Sequence, residues 1–209
     1  MRPAAEKLGV LGGSFNPIHI GHLIIAEAAY ESLNLDEVLF IPAKQPPHKP
    51  SEKLAPAVHR CNMVRLAIRG NDRFRISTME IRRRSPSYSI DTITQLRRAR
   101  PSADIFFIIG ADTILELHTW KRIRDLATLC TFAVAVRPGF SLRRLDDLRA
   151  VLGEEAVAAM KASIIRVPPI GVSSTDIRRR IAEGRSIRYL VPAAVERYIR
   201  EKGLYLPRR

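Results

Sequence analysis

The chain has 209 residues, 46% hydrophobic and 27% charged, which suits a soluble globular protein with a sizeable core and excludes a disordered or fibrous one. Thirty-five Lys and Arg against 21 Asp and Glu give a formal net charge of +14, an attraction for phosphates of any kind. No apolar run approaches bilayer length, no secretory segment is evident, and Cys61 and Cys130 fit neither a disulfide framework nor zinc spacing, so a cytoplasmic protein with buried reduced thiols is expected.

Taken in chain order, short apolar runs rich in β-formers alternate with helical patterns. The strand "LGVLG" precedes the helix "LIIAEAAYESL", and "EVLFIP" precedes "HRCNMVRLAIRG". After these come "FRIS" with "IDTITQLRRAR", "DIFFIIG" with the helical "TILEL", and the strand "TFAVAVRPG". Residues 141–161 read as one helix, "SIIRVP" as a short strand, and "SSTDIRRRIAEG" as a helix with Ser173 or Ser174 as N-cap and Gly184 as its stop. In "VPAAVERYIREKGLY", Pro192 marks a helix start, with Val195, Tyr198 and Ile199 on one apolar face. The alternation predicts βαβ units around a parallel sheet, hence a Rossmann-like doubly wound α/β fold with helices on both faces. A single domain over 1–209 is expected, its C-terminal helical part starting near 173. The Pro- and Lys-rich stretch 43–56 must be a loop, since its prolines break helix and strand alike.

Residues 12–23, "GGSFNPIHIGHL", carry the first chemistry. Glycines after a strand let the backbone approach a ligand, and the following helix end offers unpaired N–H groups to an anion. His19 and His22 fall on one side of the first helical turn, where both rings can reach one phosphate; zinc ligation or plain capping are the other readings. Asp112 follows a strand, at the end where open α/β sheets collect ligands, and can bind a ribose hydroxyl or cap a helix. Ser174, Thr175 and Arg178 stand at a helix start and can grip phosphates, or form a cap with a solvated arginine run; for Arg179 and Arg180 the solvated reading is preferred. RNA binding through general basicity is a competing reading, without an RNP or zinc-finger motif to support it. The letters "HIGH" also occur in aminoacyl-tRNA synthetases, but no KMSKS-like segment accompanies them.

Six motifs in order, "GGSFNPIHIGHL", "PPHK", "SYSIDT", "GADTILELHTW", "RPG" and "GVSSTDIRRRI", resemble the HxGH nucleotidyltransferases, and among them the bacterial nicotinate mononucleotide adenylyltransferases. Sibling transferases acting on phosphopantetheine or cytidylyl acceptors share the HxGH turn but are not matched by "GAD" with Trp120 and "PPHK". The resemblance implies transfer of AMP from ATP to nicotinate mononucleotide in NAD synthesis, by direct in-line attack, with Mg2+ accompanying ATP and no metal held by the protein itself. It implies catalytic roles for His19, His22 and Arg178. It also implies ATP contacts from Gly13, Ser14, Phe15, Gly110, Asp112, Ser174 and Thr175, those of Ser14 and Phe15 mainly through backbone. Mononucleotide contacts would come from Lys49, Ser89, Asp112, Trp120 and Arg137, with Trp120 stacked on the pyridine ring where composition alone favours core packing. Asn16 replaces the commoner Asp, which removes a charge and puts a direct magnesium role there in doubt. A pocket of backbone donors without an acceptor is expected to favour nicotinate over nicotinamide.

Overall fold

The computed structural model describes residues 5–46, 54–84 and 86–207. Its centre is β1 Lys7–Gly13, paired in parallel with β2 Glu37–Pro42 on one side and β4 Asp104–Gly110 on the other. The sheet is completed by β3 Phe74–Ile76 beyond β2 and by β5 Thr131–Val136 and β6 Ile164–Arg166 beyond β4. The strand order is β3-β2-β1-β4-β5-β6, every pair parallel, so the chain winds outward one way and then the other from β1. This is the expected doubly wound sheet, and its reversal between β1 and β4 opens a crevice at the carboxyl ends of those strands.

The strands read as continuous apolar runs because both faces are covered. Leu8, Val10, Ile105, Phe107 and Val134 pack on one side against α4 Ser89–Ala99, α5 Ile123–Leu129 and α7 Glu154–Ala162. Val38, Phe40, Ile108 and Ile165 pack on the other against α1 Ile20–Leu33, α2 Ala57–Ile68, α8 Ser174–Ala182 and α9 Ala193–Glu201. Both cysteines are buried thiols. No helix among the described residues is long and apolar enough to cross a membrane.

Several local readings need correction. Residues 141–161 are not one helix but a 3-10 helix Leu142–Leu148, the short α6 Arg149–Leu152 and then α7, because Gly153 at φ +88° takes a conformation that ends one helix before the next begins. "TILEL" lies in a 3-10 helix, Ala111–Thr119. Neither α3 Met79–Arg82 nor α5 is expected from pattern, one being a single turn and the other seven residues long.

Candidate active site

The glycine turn leaves β1 and doubles back through Phe15, whose backbone is left-handed at φ +44°. Its ring drops into the core against Phe40 and meets the edge of His22, with centroids 5.1 Å apart. The Phe15 side chain is thus committed to the core. His19 caps α1 and His22 is its third residue; the His19 backbone N–H donates to His22 Nδ1 at 3.2 Å. A neutral His22 thus carries its proton on Nε2, aimed away from its own helix end. The two rings stack with centroids 3.8 Å apart and 33° between planes. Gly21 makes this possible, since a Cβ there would lie 3.1 Å from His19 Nδ1. His19 is 8% exposed, among the described residues its Nδ1 has no hydrogen-bond partner, and burial lowers its pKa to about 4. At neutral pH the His19 ring is therefore neutral.

The amino end of α8 docks directly on this turn. Ser174 Oγ donates to the Pro17 carbonyl at 2.9 Å, and Arg178 Nη1 donates to the Asn16 carbonyl at 2.8 Å while its Nη2 reaches Thr175 Oγ1. Ser173, rather than Ser174, is the N-cap, accepting from the Asp176 N–H. Arg179 pairs with Asp176, and Arg180 donates to the Ser186 carbonyl, so each has a protein partner where a solvated run is expected. Asn16 is buried, and its Oδ1 accepts from the Ala55 N–H at 3.0 Å and the Tyr205 hydroxyl at 2.9 Å. Its amide oxygen fastens loops together, and burial at this position disfavours a charge. Among the described residues no three His, Cys, Asp or Glu side chains converge as a metal cage.

Beside the turn lies a cleft of about 330 Å³. It is lined by Gly12, Gly13 and Ser14 of the turn, by Phe107 of β4, and by Ser89, Trp120 and Lys121. Trp120 serves both readings: it lines the cleft, and it rests edge-on against Phe107 and Phe132 of the core. Lys121 Nζ sits 4.3 Å over the Tyr88 ring. Gly13, Ser14, Ser89 and Trp120 are thus brought together, with His19, His22, Ser174, Thr175 and Arg178 gathered around the adjoining turn. Gly110 ends β4 and, rather than Asp112, is the cap of the 3-10 helix; Asp112 is exposed. Arg137 is exposed on the turn after β5 and does not line the cleft. Lys49 lies outside the described residues.

The sequence reading missed two buried charged groups. Glu80 lines the cleft and accepts from the Thr92 hydroxyl at 2.6 Å; burial raises its pKa, opposed by hydrogen bonds from Thr92 and Ser87 and by the charge of Arg83. Glu116 lines the cleft as well, so the wall does not lack acceptors, contrary to the donor-only pocket expected. Glu80 gave no signal, sitting in a charged stretch that reads as solvated. Arg60 did give one: it shares the stripe of Val64 and Ile68 on α2, at i, i+4 and i+8, where only buried residues belong.

A Cytidylyltransferase-like family model matches residues 10–180. A probable nicotinate-nucleotide adenylyltransferase of Thermomicrobium roseum is 44% identical over 200 residues, covering 96% of this chain and 92% of the relative. The one from Thermus thermophilus is 44% identical, covering 95% and 99%. This chain belongs to the nicotinate-nucleotide adenylyltransferase family. Membership sets aside the sibling HxGH transferases. Solved structures agree on the fold: a Plasmodium falciparum nicotinic acid mononucleotide adenylyltransferase complexed with NaAD superposes with a TM-score of 0.73 at 19% identity, covering 96% of this chain and 97% of that one. A putative nicotinate-nucleotide adenylyltransferase from Vibrio parahaemolyticus gives 0.64 at 21% identity, covering 96% and 95%.

Proposed function

We propose that this member of the nicotinate-nucleotide adenylyltransferase family transfers the adenylyl group of ATP to nicotinate mononucleotide, giving nicotinate adenine dinucleotide and pyrophosphate. What carries the reading is the family membership across nearly the whole chain together with a cleft at the sheet's switch point that abuts the histidine turn. A phosphate oxygen of the mononucleotide attacks the α-phosphorus in line; the new P–O bond forms as the bond to the bridging oxygen breaks and pyrophosphate leaves. The chain supplies position and charge stabilisation rather than a nucleophile.

His19 and His22 donate to the reacting phosphate, and the amino ends of α1 and α8 with Ser174, Thr175 and Arg178 hold the rest of the triphosphate. Gly13, Ser14, Phe15, Gly110 and Asp112 bind the nucleotide, the first three through backbone. Ser89 and Trp120 receive the pyridine ring, while Lys49, Asp112 and Arg137 serve the mononucleotide. Magnesium enters on the ATP it neutralises, as part of the substrate, and the site lies in one domain acting on small molecules in the cytoplasm.

The test is incubation with ATP, magnesium and either nicotinate or nicotinamide mononucleotide, with products identified by mass. The acid should exceed the amide in kcat/KM by roughly ten- to a hundredfold, an unmatched amide donor costing about 1 to 3 kcal/mol. Lys121 and the +14 field support the acid, while Glu80 and Glu116 oppose it, so equal rates would remove the preference. Absence of both dinucleotides would remove the function.

A further inference from the structure

Arg60 is 1% exposed, yet among the described residues no carboxylate lies within ion-pair distance of it. A buried guanidinium ordinarily requires such a partner. Here its donors go to backbone carbonyls drawn from three separate stretches of chain. Nη1 reaches Ser14 O at 2.7 Å and Ala43 O at 2.6 Å, Nη2 reaches Lys44 O at 3.0 Å, and Nε reaches Ala55 O at 2.9 Å. Ser14 belongs to the glycine turn, Ala43 and Lys44 to the exit of β2, and Ala55 to the approach to α2, where its N–H also bonds Asn16.

The connections continue across the cleft. The Lys44 N–H donates to Ser87 Oγ and the Ser87 N–H to the Gln45 carbonyl, both at 3.0 Å. Ser87 leads into Tyr88 and Ser89, which line the far wall. One guanidinium therefore stands where the backbone of the glycine turn meets the backbone that leads to the wall of the cleft lined by Ser87, Tyr88 and Ser89. A planar fork with five donors can span these carbonyls, whereas an ammonium concentrates three donors on one atom.

We propose that Arg60 is a positioning residue for adenylyl transfer, its fork setting the distance between the glycine turn and the wall that carries Ser87 to Ser89. It acts through those backbones and touches neither substrate. The proposal rests on the reaction assigned above. In-line transfer depends steeply on the separation of the two reacting phosphates, and a displacement near 1 Å can cost about a hundredfold in rate. A role confined to core stability would lower the melting temperature and leave catalysis intact.

The test uses the full chain with Arg60→Lys, which keeps the charge and most of the stem, and Arg60→Met, which keeps only the bulk. Folding is checked by circular dichroism and thermal unfolding. Then kcat and each KM are measured, and binding of a non-hydrolysable ATP analogue and of the mononucleotide is followed through Trp120, the only tryptophan. Arg60→Lys should fold and lose roughly 10- to 100-fold in kcat, with smaller changes in the two separate affinities. Arg60→Met, if it folds, should lose at least as much. Wild-type kcat in a folded Arg60→Lys would overturn the proposal, by showing that charge or bulk alone suffices. If the wild type itself forms no dinucleotide, the assigned reaction fails. The fluorescence arm then decides whether Arg60 shapes the cleft: unchanged affinities for both probes in the folded variant overturn the proposal, and a shift in either sustains it.

Discussion

The two ends of the cleft are built in different ways. At the histidine turn, nearly every polar group is already engaged by a neighbour: His22 by the His19 N–H, Ser174 by Pro17, Arg178 by Asn16 and Thr175. Around Trp120, the cleft is an aromatic surface with Tyr88, accompanied by Lys121 and two carboxylates. Chemistry on a charged, reacting centre demands donors fixed beforehand, because reorganisation during the reaction would consume the stabilisation they provide. Recognition of a flat ring needs surface and a few polar edges. Substitutions at the first end should therefore act on rate, and at the second on affinity.

The largest effect is expected at the histidines. His19→Ala or His22→Ala should lower kcat by roughly 100- to 1,000-fold, about 2.7 to 4 kcal/mol of barrier, while the mononucleotide KM moves little. Steady-state kinetics with each substrate varied separately gives the answer, and a change confined to KM would erase the contrast between the two ends.

Next comes acid stability. His19 titrates near 4 in the folded chain against an ordinary value of 6.5, so between these values the unfolded chain binds a proton that the folded one resists. Stability should fall as pH drops from about 6.5 towards 4 and level off below, by at most about 3 kcal/mol from this group. Urea unfolding of wild type and His19→Asn across that range tests it: the variant should lose this slope, and an identical slope would place the acid sensitivity elsewhere.

The smallest effect is expected at the wall. Trp120→Ala should raise the mononucleotide KM severalfold to about tenfold, the range of an aromatic contact worth about 0.5 to 1.5 kcal/mol, and leave the ATP KM within about twofold. Some stability should also be lost with the contacts to Phe107 and Phe132. An unaltered acceptor KM would assign Trp120 wholly to the core.

The same division explains what could be read from sequence. The phosphate end is compact along the chain because its physics is local: a glycine turn, a helix end and residues three apart, as in His19 and His22 or Thr175 and Arg178. The parallel sheet was legible for a related reason, since burial on both faces writes each strand as an apolar run. The wall is assembled by sheet topology from residues far apart, such as Ser89 and Trp120, so these two surfaced only through family resemblance. Glu80 was invisible because its burial is decided by α4, and α6 and α7 merged because Gly153 looked tolerable in a helical pattern. Arg60 was legible in principle, as a charge on an apolar stripe, and was overlooked because a lone arginine on a helix is usually solvated.

Tyr205 binds Asn16 across 189 residues of sequence. During synthesis, the loop that follows β1 must wait until the chain through Tyr205 has left the ribosome before this hydrogen-bond partner arrives, and α8 reaches the same loop only slightly sooner. The histidine turn is thus fastened only long after it has been made. A nascent chain halted before α8 would hold the glycine turn and both histidines yet lack the groups that fasten them.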